Sequence, residues 1–345
     1  RHYIYIFSVH EDNCYMKQIK EFDGVRAIAI LSIVACHICY GIDSMSPLGQ
    51  YLGGTFNFVF FILSGLLIGL SINAHKSKCC KLNKFSFLKK RLMRLIPDLW
   101  IFLTLFLLVA TFFDITYTSE QIVLNYLMFG WFAKLPYCGH LWFVTMILFC
   151  YVLFTVSLNV NEKRLFLVGL LILCIGGQVI FCIAHLPAYM FLILFLSGVT
   201  MIYSTDILYL IDKINMSIAF IITISINICY YLLINNGLLT IGNLDYYYMG
   251  GVSGITMLVG LYKLFKKIPV SKFLTLVSAL SYQIYLVHHP LCNTNYISRL
   301  VNSKFIAIIL IVTISILLAY ILKISGEFLM SRSYSKCSKI NSSKS

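Results

Sequence analysis

The chain has 345 residues, of which 60% are hydrophobic and 12% charged, with a mean hydropathy of +0.87 and a formal net charge of +14. Several apolar runs of about twenty residues, each long enough to cross a hydrocarbon core of roughly 30 Å, exclude a soluble domain and indicate a polytopic helical membrane protein. The charge follows loop position and needs no nucleic-acid partner. The twelve cysteines, scattered mostly within apolar runs without metal-ligand spacing, read as small core residues and imply no metal.

In chain order, residues 1–21 form an N-terminal extension. Residues 1–15 of it read as lying upstream of a natural start at Met16. Ten apolar windows follow, at 24–42, 52–73, 97–113, 140–159, 164–184, 187–203, 214–234, 246–264, 274–292 and 304–325. The expected fold is an all-α bundle of about ten transmembrane helices, spanning residues 22–326 and followed by a Ser/Lys-rich cytoplasmic tail at 327–345. The apolar segment 122–133 is too short to span and reads as an interfacial or re-entrant helix.

Orientation comes from the basic residues. With the N-terminus inside, the inner loops and ends carry twenty-three Lys and Arg, while the outer loops carry only Lys134, Arg299 and Lys304. Cytoplasmic loops hold this excess, so both termini are expected in the cytoplasm. Gly65/Gly69 and Gly250/Gly254 have the small-xxx-small spacing of close helix contacts. Tyr246, Tyr247 and Tyr248 stand where interfacial aromatic anchors are expected.

The first window carries Arg26 and His37, eleven residues apart. At about 100° and 1.5 Å per residue, they return to within roughly 20° of one direction and stand roughly 16 Å apart along the axis. Two ionisable groups on one face of an apolar helix must look inward or into a wet cavity. The spacing allows a general base at His37. It equally allows an arginine reaching for headgroups and a histidine satisfied by a backbone carbonyl.

Arg91 and Arg94 lie in the basic stretch before Pro97, three residues apart, and a guanidinium pair at that spacing suits phosphate. Attraction to anionic lipid accounts for the neighbouring lysines. In the ninth window, Ser281-Tyr282-Gln283-Ile284-Tyr285-Leu286-Val287-His288-His289-Pro290 places His288 at about the depth of His37, so the two could share a pocket. His289 reads equally well as an interfacial residue beside a helix-ending proline. Asn57 and Ser64 fall on one face of the second window, as packing hydrogen bonds or pocket lining. His140 and Trp142 open the fourth window, as an aromatic anchor or an acceptor entrance. Walker, dinucleotide, HExxH and nucleophile-elbow motifs are absent, which leaves ATP-driven transport, hydride transfer and metalloprotease chemistry without support.

Several of these stretches together resemble the membrane-bound acyltransferase 3 family of O-acyltransferases. They are Phe22-Asp23-Gly24-Val25-Arg26-Ala27-Ile28-Ala29 with His37, Phe60-Phe61-Ile62-Leu63-Ser64-Gly65, Arg91 and Arg94 before Pro97, and Ser281-Tyr282 followed by Ile284-Tyr285-Leu286-Val287-His288. They occur in the family's order along nearly the whole chain. The resemblance implies transfer of an acyl group, commonly acetyl, from acyl-CoA to a hydroxyl of a sugar or other envelope acceptor, such as a surface polysaccharide or O-antigen.

On that resemblance His37 is the catalytic base, with Arg26 steering the donor or stabilising negative charge. Arg91 and Arg94 hold CoA phosphates; from their own positions in the chain, Asn57, Ser64, His140, Trp142, Tyr285 and His288 are the expected lining of the substrate pocket. Acyl-CoA is the donor substrate rather than a resident cofactor. The expected partners are the lipid bilayer and a hydroxylated glycan or lipid-linked acceptor, and the expected location is a bacterial plasma membrane. Many relatives carry an additional soluble SGNH hydrolase-like domain; this chain resembles the members consisting of the bundle alone. Export of a glycan or its precursor by the same fold is the alternative, and it gives no role to the arginine pair together with His37.

Overall fold

A computed structural model describes residues 19–42, 46–76, 84–157, 188–203, 207–293, 297, 300–301 and 303–342. Among these residues the chain is all-helical. Its helices are α1 (Lys20–Ile42), α2 (Pro47–Lys76), α3 (Lys84–Phe112), α4 (Ser119–Tyr126), α5 (Trp142–Ser157), α6 (Ala188–Tyr203), α7 (Ile207–Lys213), α8 (Met216–Asn235), α9 (Leu244–Lys267), α10 (Lys272–Ala279), α11 (Ser281–Asn293) and α12 (Lys304–Ser342). A 3₁₀ turn at Gly139–Leu141 leads into α5. The described parts of nine of the ten apolar windows fall mainly on helix; the fifth, 164–184, lies outside the described residues, as do residues 1–15.

Among the described residues five helices are long and apolar enough to cross a membrane: α1, α2, α3, α8 and α12. The apolar parts of α5 and α6 are shorter. The ninth window is two helices rather than one, since α10 ends at Leu280 before α11 begins. Pro97 does not end α3, which runs through it, so Arg91 and Arg94 do share one helix. The short segment after α3 starts earlier than its hydropathy suggests. Thr118 and Gln121 form a reciprocal capping box at the start of α4. The helix stops at Tyr126, followed by Met128 at φ +66°.

α2 is the central post. Gly65 of α2 and Gly198 of α6 face each other at a crossing so close that a Cβ on Gly65 would overlap the Phe195 carbonyl, and one on Gly198 the Ile62 carbonyl. On its other side α2 meets α9, where a Cβ at Gly254 would fall 2.8 Å from Phe58 Cβ. Gly65, Gly250 and Gly254 thus serve close helix packing. α1 lies antiparallel beside α2, in a register fixed by Gly49 against Tyr40 and Gly53 against the Cys36 sulfur.

A polar chain ties α2, α8 and α9 together. Tyr51 Oη donates to Asn227 Oδ1 (3.0 Å), Ser253 Oγ donates to the same oxygen (2.7 Å), and Thr55 Oγ1 lies 2.8 Å from Ser253 Oγ. Asn227 Nδ2 donates to the Thr223 carbonyl (2.8 Å). Away from water each such group needs a partner, and here each finds one. Tyr246 joins the same interface. It is buried and donates to the Gln50 carbonyl (2.7 Å), so it is a packing residue and not the interfacial anchor its position suggests. Tyr248 is exposed.

Burial separates inner from outer helices. In the apolar windows of α1 and α2, 61% and 67% of residues are buried, against 28% in α8 and in α12. The outer faces carry Ile218, Ile221, Ile224 and Ile228 on α8, and Ile306, Ile309, Leu317 and Ile321 on α12, all exposed. Such continuous aliphatic surfaces suit contact with lipid tails. α1, which bears Arg26 and His37, is held between α2, α9, α10 and α11.

Candidate active site

Four histidines from three elements meet at the end of α1. His37 projects from α1, His140 from the 3₁₀ turn, and His288 and His289 from α11. Ring centroids are 4.9 Å apart for His37 and His288, 4.6 Å for His37 and His289, 4.4 Å for His140 and His289, and 5.5 Å for His140 and His288. His140 and His289 stack, with 18° between ring planes. His37 is the most accessible of the four; the other three are buried.

Each ring places one nitrogen against a backbone carbonyl. His37 Nδ1 is 3.1 Å from the Ile33 oxygen, His140 Nε2 3.1 Å from that of Leu286, His288 Nδ1 3.0 Å from that of Ile284, and His289 Nδ1 2.7 Å from that of Tyr137. A carbonyl oxygen only accepts, so the nitrogen facing it carries hydrogen. In the neutral ring the other nitrogen is then a lone pair.

This assignment orders the cluster. The His37 Nδ1–H is shared between the Ile33 carbonyl at 3.1 Å and His288 Nε2 at 2.9 Å, which leaves His37 Nε2 as a base. His289 Nε2 has Asn293 Nδ2 at 3.2 Å. His140 Nδ1 is buried and has no hydrogen-bond partner among the described residues. The two lone pairs without a described partner belong to His37 and His140. Leaving such an acceptor buried and unpaired costs roughly 1–3 kcal/mol, which a bound ligand or water would offset. Among the described residues no group of histidines, cysteines and carboxylates has the arrangement to hold a metal ion.

The helices supply this geometry through ordinary contacts. Tyr285 is buried one turn before His288, and its hydroxyl donates to the His140 carbonyl, clamping the 3₁₀ turn onto α11. An aromatic wall runs away from it. Phe143 lies 5.1 Å from Tyr285 and 4.7 Å from Phe61, and Trp142 lies 5.0 Å from Phe191. Trp142 is half-buried against this wall rather than within the histidine cluster.

The basic residues form a second locus. Arg26 and Arg94 lie within electrostatic reach of Arg91, and all three within reach of Tyr151 of α5. The Arg91 guanidinium lies 5.2 Å from the Phe87 ring centroid. Arg26 is held 3.9 Å from Asp23, which also accepts from the Ser278 hydroxyl of α10 at 3.2 Å. Between the two loci, on the same face of α1, Ile30 and Ile33 are fully buried. The arginines and histidines are therefore two ends of one helix face separated by an apolar layer. Asn57 and Ser64 sit half-buried on one face of α2. The α1–α2 register places Asn57 at a level between the two loci.

The sequence brought His37, His288, His140 and Tyr285 into consideration, and the structure places all four together. It also brings Arg26 to Arg91 and Arg94. The sequence left His289 open between the pocket and the interface, and gave no role to Asp98. His289 is inside the cluster because α11 continues through Pro290 to Asn293. Asp98, buried in α3, accepts from Gln283 Nε2 of α11 at 2.6 Å. A lone acid within an apolar run was the available signal for Asp98.

No curated protein and no solved structure matches the chain. A family model described as an acyltransferase domain does match, over residues 19–324, which takes in both the arginine locus and the histidine cluster. That match covers nearly the whole chain, and the chain belongs to this family of acyltransferases, here built as a multi-pass helical membrane protein.

Proposed function

We propose that the protein is an integral membrane O-acyltransferase that moves an acyl group, with acetyl the leading candidate, from acyl-CoA to a hydroxyl of a sugar or other cell-envelope acceptor. The observation that carries this reading is the His37–His288 hydrogen bond, which leaves His37 Nε2 as a lone pair at the more accessible edge of the cluster. A general base needs that nitrogen free and its ring orientation fixed.

The steps balance as follows. The acceptor hydroxyl attacks the thioester carbonyl while its proton passes to His37 Nε2, and His288 accepts from the imidazolium through Nδ1–H. The tetrahedral intermediate collapses, the C–S bond breaks, and the proton on His37 goes to the departing CoA sulfur. Arg91 and Arg94 bind the CoA phosphates. Arg26, which Asp23 orients, adds positive charge to the donor path. In this reading both termini and the arginine locus face the cytoplasm, residues 22–326 are the catalytic bundle, and the location is a bacterial plasma membrane.

The test supplies acetyl-CoA labelled in the acetyl group to membranes containing the protein and follows label into glycolipid, polysaccharide and small-molecule fractions. Label above that of membranes lacking the protein supports acyl transfer, and the labelled fraction names the acceptor class. Absence of label, repeated with succinyl-CoA, favours export of a glycan by the same bundle.

A further inference from the structure

We infer that His140 Nδ1 is a second contact for the acceptor: it takes a hydrogen bond from a hydroxyl other than the one that reacts. The inference rests on the acyl-transfer reading and adds to it that the acceptor is a polyhydroxylated molecule held at two oxygens.

The nitrogens of the cluster are nearly all accounted for. Four N–H groups face four backbone carbonyls, the His37 Nδ1–H being shared with the His288 Nε2 lone pair, and the His289 Nε2 lone pair faces Asn293 Nδ2. The remaining lone pairs are His37 Nε2 and His140 Nδ1. The second is buried without a partner among the described residues, on a ring only 2% exposed. A site whose unused groups are two acceptors is complementary to a ligand with two donors. Both rings lie against His289, at 4.6 and 4.4 Å between centroids.

Chemistry favours the acceptor as the source of the second donor. A substrate held only by its reacting oxygen turns freely about its C–O bond, and a second fixed oxygen selects which hydroxyl meets the thioester. The acyl-CoA pantetheine arm offers amide N–H groups, the same hydrogen-bond chemistry from the other substrate. Kinetics separate the two sources.

Two substitutions split the functions of the ring. His140→Gln places an amide where Nε2 stands, so it can keep the Leu286 bond while losing the Nδ1 lone pair. His140→Asn places an amide oxygen near Nδ1, so it can keep that acceptor while losing the Leu286 bond. Both are assayed in membranes with labelled acetyl-CoA and the endogenous acceptor, after thermal unfolding in detergent confirms folded protein. The expected result is that Gln lowers the maximal incorporation rate by about tenfold or more with KM for acetyl-CoA unchanged, while Asn retains more activity than Gln. Retention in Gln with loss in Asn, or equal losses in folded variants, would overturn the assignment, since the backbone bond or the ring itself would then be what matters. A raised KM for acetyl-CoA in Gln would overturn it in favour of a donor contact. Absence of incorporation by the natural sequence would instead overturn the acyl-transfer reading, and this assignment with it.

Discussion

His288 Nε2 accepts a hydrogen bond from His37 Nδ1 at 2.9 Å, joining two residues 251 positions apart in the chain. The contact makes His288 the positioning residue for His37. His288→Ala is expected to slow acyl transfer by roughly ten- to a hundredfold, the range for groups that orient a working imidazole. His288→Gln, whose amide oxygen can take the place of Nε2, should recover part of that loss. Because the two residues act as one unit, the His37→Ala/His288→Ala double variant should be no slower than His37→Ala alone. Additive losses would show independent roles.

Arg91 and Arg94 lie three residues apart on α3 with Arg26 within electrostatic reach. Arg91→Ala should mainly raise KM for acetyl-CoA, with a smaller change in kcat. The effect should be larger for acetyl-CoA than for a truncated acetyl-pantetheine donor, which lacks the nucleotide phosphates. Equal effects on both donors would remove the arginines from phosphate binding.

How far the sequence reveals this site depends on whether the signal is local. Arg26 and His37 announce themselves because the helical period places them on one face, and His288 because its depth can be counted along an apolar window. His289 did not, because Pro290 looks like a helix end and α11 continues through it. Tyr246 looks like an interfacial anchor, yet α2 arrives beside it and offers the Gln50 carbonyl. The break between α10 and α11 falls at Leu280, without glycine or proline to mark it. The shared pocket of four imidazoles depends on α1, α11 and the 3₁₀ turn meeting, which is tertiary information.

The α2–α6 crossing is set by facing glycines. Gly65→Ala should lower stability by about 1–3 kcal/mol, as overpacking does, because the added methyl meets the Phe195 backbone rather than a movable side chain. Gly251→Ala, whose nearest neighbour would be Leu194 Cδ1 at 3.5 Å, should be near neutral. Thermal unfolding of the two variants in one detergent compares them directly.

Asn227 carries the polar interface of α2, α8 and α9. Asn227→Leu removes the oxygen that accepts from both Tyr51 and Ser253 and should destabilise the bundle by about 1–3 kcal/mol. Incorporation kinetics of the protein that remains folded should be little changed, since these hydrogen bonds do not run to the histidines.

The central claim is that His37 Nε2 takes the acceptor proton. Its most direct measurement is the rate of labelled acetyl transfer from acetyl-CoA by purified natural protein and by His37→Ala, at equal amounts of folded, membrane-inserted protein. The expected result is a loss on the order of 10²–10⁴ in rate with little change in acetyl-CoA binding. A His37→Ala variant that transfers at the natural rate would contradict the claim.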